Sequence, residues 1–236
     1  MEKLVFFTNV GHENHFEAGH PERPERIEAI VDALTEQGYW KEYPKLDAIG
    51  LPQAVLESIH EKDFMAVLEA TCRNGLHFDA DTYTRPASWD LAHAAAGGAA
   101  AVAGSVWRRE ARRGFALTRP PGHHATADRS MGFCLLNNVA LAAEYLIQEH
   151  GARKLAIVDL DLHHGNGTQD IFYARGDVIY ISTHQYPHYP GTGWINETGS
   201  GEGSMANANL PLPPYSGDRE FLRGMDEFIL PILDRI

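Results

Sequence analysis

Short apolar runs and longer stretches of helical periodicity alternate along this chain. Residues 3–8 and 114–118 read as strands, and Leu155-Ala156-Ile157-Val158, within 154–159, reads as a buried one. Residues 178–183 make a further strand. A helix is predicted over 24–37: proline stands at its start, Ile27, Ile30, Val31 and Leu34 form one stripe, and Gly38 stops it. Further helices are expected over 61–72, 88–110, 137–150 and 169–173. The 88–110 helix is rich in alanine and glycine, which predicts close packing on a neighbour. Residues 73–88, 119–131 and 184–217 read as loops, and the last is too long for a plain connection. A final helix is predicted from Asp218, with Phe221, Leu222, Met225, Phe228, Ile229, Ile232, Leu233 and Ile236 on one face. Strands alternating with helices predict an α/β fold, an open parallel sheet with helices on both faces.

Composition narrows the class. The chain has 236 residues, 44% of them hydrophobic, enough for one sizeable globular domain. A net charge of −12 argues against wrapping a nucleic-acid duplex. The amino-terminal run resembles no signal peptide, and the longest apolar stretch is too short to span a bilayer. Two cysteines are too few for a disulfide framework, which predicts an intracellular, cytoplasmic setting. Thirteen histidines raise the expectation of metal or acid–base chemistry.

Two runs carry that chemistry. Asp159-Leu160-Asp161-Leu162-His163-His164-Gly165-Asn166 follows the apolar strand. If the extended backbone persists, Asp159, Asp161 and His163 share one face by two-residue alternation. Carboxylates and an imidazole converging at a strand's carboxyl end suit a divalent metal and its surroundings. The second run, Arg119-Pro120-Pro121-Gly122-His123-His124-Ala125, stiffens and turns the backbone just before its paired histidines. Adjacent side chains of an extended segment diverge, so the pair is expected to flank a reacting centre as acid and base rather than bind one ion. His12, His15 and His20 read as surface residues of an N-terminal loop, and His184 as structural. Cys134 reads as a buried, inert thiol, and Met131 and Phe115 as core.

Together these runs resemble the histone deacetylase superfamily, which includes acetylpolyamine amidohydrolases and acetoin-utilisation-type proteins. The similarity extends through His20-Pro21-Glu22-Arg23-Pro24-Glu25-Arg26, Gly132-Phe133-Cys134, Asn137-Asn138, Tyr189-Pro190-Gly191-Thr192-Gly193 and the glycines from Gly199 to Gly203. The resemblance implies an arginase/deacetylase-like fold and a zinc amidohydrolase acting on acetyl-lysine or acetylated polyamines. It makes Asp161 and His163 zinc ligands and His123 and His124 the acid–base pair, with Asp159 bonded to His123 and Asn166 to His124. An amide at position 166 resembles the class II branch, and it orients a histidine without favouring its imidazolium as a carboxylate does. Gly132, Phe133 and Tyr189 would line a tunnel for an acyl-lysine-like arm. Apart from the resemblance, Asp81 reads either as a rim acid gripping substrate or as a solvated loop acid. Asp159, Asp161, His163, Ser182 and Thr183 would form a structural potassium site.

The family's third zinc ligand lies in a Ser-Ala-Gly-Phe-Asp-like motif and its oxyanion tyrosine in a Gly-Gly-Tyr-like motif. Neither motif occurs in these 236 residues, so the expectation is one deacetylase-like domain over 1–236, incomplete at its C-terminus. Two other readings compete: an inactive acyl-lysine or metal-binding fragment, and an arginase-type binuclear manganese hydrolase. The tandem histidines favour the zinc enzyme over the manganese one. No long insertion lies between Asn9 and His20 to narrow an entrance, which favours acetyl-lysine over slender polyamines as substrate; oligomerisation is left open.

Overall fold

The computed structural model describes residues 3–235. It falls into two compact units, Met1–Gly151 and Ala152–Ile236. Every strand pair in both is parallel.

In the first unit, β1 (Val5–Thr8) pairs with β2 (Gly114–Leu117). Between them run α1 (Glu25–Glu36), α2 (Tyr39–Glu42), α3 (Gln53–Ile59), α4 (Lys62–Arg73) and α5 (Ser88–Trp107); α6 (Asn138–His150) follows β2. Helices α2 and α3 are absent from the sequence reading, since four and seven residues are too few to establish a period. The small residues of α5 do pack closely. A Cβ on Gly98 would lie 2.0 Å from the Phe7 ring, and one on Gly97 2.1 Å from the Ile49 carbonyl. Helix α6 is capped by the Asn137 side chain, which accepts from the Ala140 amide, and ends at Gly151 with φ +69°. Phe115, expected in the core, is 43% exposed because it faces away from α5, and Met131 is only half-buried.

In the second unit, β3 (Leu155–Asp159), β4 (Val178–Gln185) and β5 (Asn207–Leu212) form one sheet in that order, with α7 (Asn166–Phe172) between the first two. Strand β3 is less buried than its apolar run suggests: only Ile157 is fully so. Strand β5 lies inside the segment read as loop. Its sequence, Asn207-Ala208-Asn209-Leu210-Pro211-Leu212, lacks the usual strand residues, and its asparagines are buried by side-chain hydrogen bonding instead. The C-terminal helix is not one continuous α-helix. α8 (Asp218–Gly224) passes through a π turn at Met225–Ile229 into α9 (Leu230–Leu233). Ile229 is fully buried, Phe221, Met225, Phe228, Ile232 and Leu233 are half-buried, and Leu222 is 65% exposed. Ile236 lies outside the described residues.

In-register pairing places Asp159 beside Ser182 and Ser182 beside Asn209; Ile157, Tyr180 and Asn207 form the row before. One sheet face therefore carries Asp159, Tyr180, Ser182, Asn207 and Asn209 together. Thr183 points to the other face. No helix among the described residues is long and apolar enough to cross a membrane.

Candidate active site

In the first unit, the two prolines and Gly122 carry the chain from β2 into a turn at His123 and His124. The rings do not diverge, as an extended segment would make them. The turn brings their centroids to 4.0 Å at 47°. Gly122 is required by the Asn138 amide, 2.5 Å from where a Cβ would stand. Asn138 also donates its side chain to the Pro120 carbonyl at 3.0 Å. His124 is buried, and its amide donates to Cys134 Sγ at 3.5 Å. Gly132 has φ +55°, and a Cβ there would lie 2.4 Å from the His124 ring. Phe133 follows with φ +70°, its amide on Thr82 Oγ1 and its ring edge-on to His20 at 4.8 Å. Gly132 thus packs against the His124 ring and Phe133 against His20.

Sequence reasoning missed what holds this turn. Arg119 and Glu22, each 1% exposed, form an ion pair at 2.7 Å. Arg119 also donates to the Tyr83 hydroxyl at 3.0 Å and to the His12 carbonyl. His15, expected at the surface, is 1% exposed and stacked on Tyr83 at 4.3 Å. Burial, with Arg119 and Arg85 adding repulsion, pushes its imidazole down to about 3. Neutral His15 makes no ion pair with Glu22, although they approach to 3.7 Å. His12 and His20 are half-buried. Asp81 is exposed, and its carbonyl lies 3.1 Å from His20 Nε2. His60 clips the far side of the turn. Its Nδ1 donates to the Thr126 carbonyl at 2.9 Å and its Nε2 accepts the Asn137 amide at 3.0 Å. Burial pushes His60 down to about 4. The sequence signal for these groups was weak: Glu22 and Arg119 stand in recognisable motifs, but nothing local marks them as buried partners.

In the second unit, the extended backbone ends at Asp159. The chain then bends through 161–163 rather than alternating on. Each carboxylate accepts from the amide two residues ahead: Asp161 N to Asp159 Oδ1 at 3.1 Å, His163 N to Asp161 Oδ1 at 2.8 Å. This local bonding still brings Asp161 and His163 together, with His163 Nδ1 3.1 Å from Asp161 Oδ1. The Tyr189 ring stands edge-on to His163 at 6.0 Å and His188 lies at 4.9 Å. Asn166 is the first residue of α7, its amide donating to the His164 carbonyl.

Asp159 also accepts the Tyr180 hydroxyl at 2.9 Å. Burial and the adjacent Asp159 charge push that phenol well above its ordinary range, so it stays a donor. Ser182 donates to His184 Nδ1 at 2.9 Å, because His184 Nε2 donates to the Gly193 carbonyl. His184 is therefore structural, as expected. His164, pushed down to about 4 by burial and the neighbouring His184, joins Thr192 Oγ1 to Gln169 Oε1. Glu197 accepts the Gly193 and Trp194 amides and the Gln169 side chain. Burial opposes its charge, but these hydrogen bonds prevail and hold the carboxyl below its usual range. The loop bearing Tyr189 is thus tied to the sheet face.

Asp161 Oδ1 and His163 Nδ1 fit two legs of a divalent site. Tetrahedral zinc with bonds of about 2.0–2.1 Å sets its ligand atoms about 3.3 Å apart, close to the 3.1 Å seen. Both groups are partly exposed, open to an ion. Among the described residues no cluster of three such donors occurs. Thr183 Oγ1 is buried without a partner. A groove of about 840 Å³ in the first unit, lined by Val102, Val106, Ala116, Val139 and Leu146, includes none of the predicted site residues.

Comparisons with known proteins identify the family. The family model for the histone deacetylase domain matches residues 20–236. A probable deacetylase of Archaeoglobus fulgidus is 41% identical over 91% of this chain and 60% of its own length. A histone deacetylase-like amidohydrolase of Pseudomonas aeruginosa is 34% identical over 92% of this chain and 58% of its own. The crystal structure of the HDA15 HD domain matches with a TM-score of 0.91 at 35% identity, covering 98% of this chain and 69% of that one. The chain thus spans somewhat under two thirds of these two curated relatives. With paired histidines after Pro-Pro-Gly, an acidic–histidine turn after a parallel strand and an arginase/deacetylase-type α/β architecture, it belongs to the histone deacetylase family.

Proposed function

We propose that these residues carry the acid–base pair, two metal ligands and part of the acyl-arm wall of a zinc-dependent deacetylase. The observation that carries this reading is the His123–His124 turn, its rings side by side and backed by Gly132, in a chain of this family. Zinc held by Asp161, His163 and a third ligand would polarise an amide carbonyl and acidify a water. One histidine then takes a proton from the attacking water, and the other gives one to the departing amine nitrogen. With the rings 4.0 Å apart, charging one disfavours charging the other. By the family resemblance Asp159 would orient His123, and Asn166 would orient His124 without adding charge. Gly132, Phe133 and Tyr189 would line the arm's path, Asp81 would grip the substrate at the rim, and Asp159, Asp161, His163, Ser182 and Thr183 would hold potassium.

The substrate in this reading is an acetylated lysine side chain or a small acetylated amine, met in the cytoplasm. Comparing turnover of an acetyl-lysine peptide with N-acetylputrescine decides between them; a strong preference for the polyamine overturns the lysine reading. Two ligands hold zinc weakly. A chain restricted to these 236 residues is therefore expected to turn over neither substrate, and zinc-dependent turnover by it contradicts that ligand set.

A further inference from the structure

We infer that Glu22 is a positioning residue for the His123–His124 turn, acting through Arg119; this rests on the acid–base role proposed above. Burying a carboxylate and a guanidinium at 1% exposure is costly, and well-packed apolar residues of similar size often serve stability equally well. The pair therefore calls for a reason beyond folding, and its place in the chain supplies one. Arg119 is the fourth residue before His123, and it is fixed at both ends. Its amide donates to Asn9 Oδ1 at 3.2 Å and its carbonyl accepts the Asn9 side chain. Its guanidinium reaches Glu22, Tyr83 and the His12 carbonyl.

From Arg119 to His123 the chain has little freedom. Pro120 and Pro121 have fixed φ. The Pro120 carbonyl is bonded to Asn138, and Gly122 is pressed against the Asn138 amide. A shift of the guanidinium is therefore passed along a stiff link to the histidine rings.

Glu22 is the group that sets the guanidinium. Its Oε1 takes Arg119 Nε, and its Oε2 lies 3.3 Å from the Tyr83 hydroxyl, which also faces the Glu22 and His15 carbonyls at 3.2 Å. Tyr83 in turn accepts from Arg119, closing a triangle of three buried groups. Burial and the adjacent Glu22 charge keep the Tyr83 phenol protonated, able to donate to the carboxylate. Arg26, at 3.6 Å from Glu22, is mostly exposed and serves as a weaker second cation. Glu22 touches no reacting group in this reading; its effect is on where the rings stand.

The test uses the full-length zinc-loaded protein, with ring carbons of histidine labelled for NMR. Glu22→Gln keeps the shape but leaves Arg119 with an uncharged partner. The expected result is a shift in the His123 and His124 ring signals with His60 and His184 unchanged. On an acetyl-lysine peptide, kcat falls by up to about 100-fold with KM nearly constant, the cost of a small misplacement of reacting groups. If Glu22→Gln does not fold, the double variant Glu22→Met, Arg119→Met removes both buried charges and is read in the same way. A folded variant of either kind with unmoved His123 and His124 signals overturns the inference. Absent turnover by the wild-type protein refutes the proposed activity instead, and the ring signals still decide the role of Glu22.

Discussion

Acidification should weaken the first unit through His60, and by an amount that can be worked out. Its two ring nitrogens bridge the Thr126 carbonyl and the Asn137 amide, so the fold needs one N–H and one lone pair on that ring. A second proton would set donor against donor in a site only 1% exposed. Burial is the main cause of its pKa of about 4, outweighing the bond to Thr126 that favours the charged ring. The folded value lies below the unfolded 6.5, so the unfolded chain binds the proton first. The contribution is whole above pH 6.5 and is lost as pH falls towards 4. Between pH 7.5 and pH 5 the loss from His60 alone is about 2 kcal/mol. His15 acts in the same direction, but it touches Glu22 and is the less clean probe. The assay is urea unfolding of wild type and His60→Gln across that range. Glutamine offers a donor and an acceptor but does not titrate. The variant should start less stable and then lose about 2 kcal/mol less than wild type on acidification. Parallel pH profiles would refute the assignment of that slope to His60.

Other consequences can be checked separately. Gly132→Ala sets a Cβ against the His124 ring at a φ of +55°; it should cost about 1–3 kcal/mol of stability, and an unchanged melting temperature would count against the packing argument. Asp161→Asn and His163→Ala should each abolish zinc uptake measured by titration calorimetry, whereas wild-type affinity in either would remove that residue from the ligand set. Glu197→Gln leaves a weaker acceptor for three donors. It should lower stability by about 1–3 kcal/mol and speed amide exchange at Gly193 and Trp194; unaltered exchange there would show that Glu197 does not hold the loop.

Regular elements with a clear period were legible in the chain. The α1 stripe, the close-packing α5 and the capped α6 stand where their residues place them, because each is determined by local periodicity and by caps. Strand β5 was not legible, since its asparagines are stabilised by Gln169, nearly forty residues away in sequence. The π turn at Met225–Ile229 divides a helix that the period predicts as continuous. At the site, the residue types were legible and their conformations were not. A turn rather than an extended run brings His123 against His124, and amide-to-carboxylate bonds rather than strand alternation bring Asp161 to His163. The supporting groups Glu22, Arg119, Tyr83, His15 and His60 were least visible. Their roles depend on partners up to 110 residues distant, and a charged or polar letter in a loop reads as solvated until its partner is known.

The central claim is that His123 and His124 do the proton transfers of amide hydrolysis. Acetate release from an acetyl-lysine peptide by the full-length zinc-loaded protein tests it most directly, with His123→Ala and His124→Ala beside the wild type. The account predicts turnover by the wild type and a fall in kcat of about 10²–10⁴ in each variant with zinc still bound. Wild-type kcat in either zinc-loaded variant would contradict it.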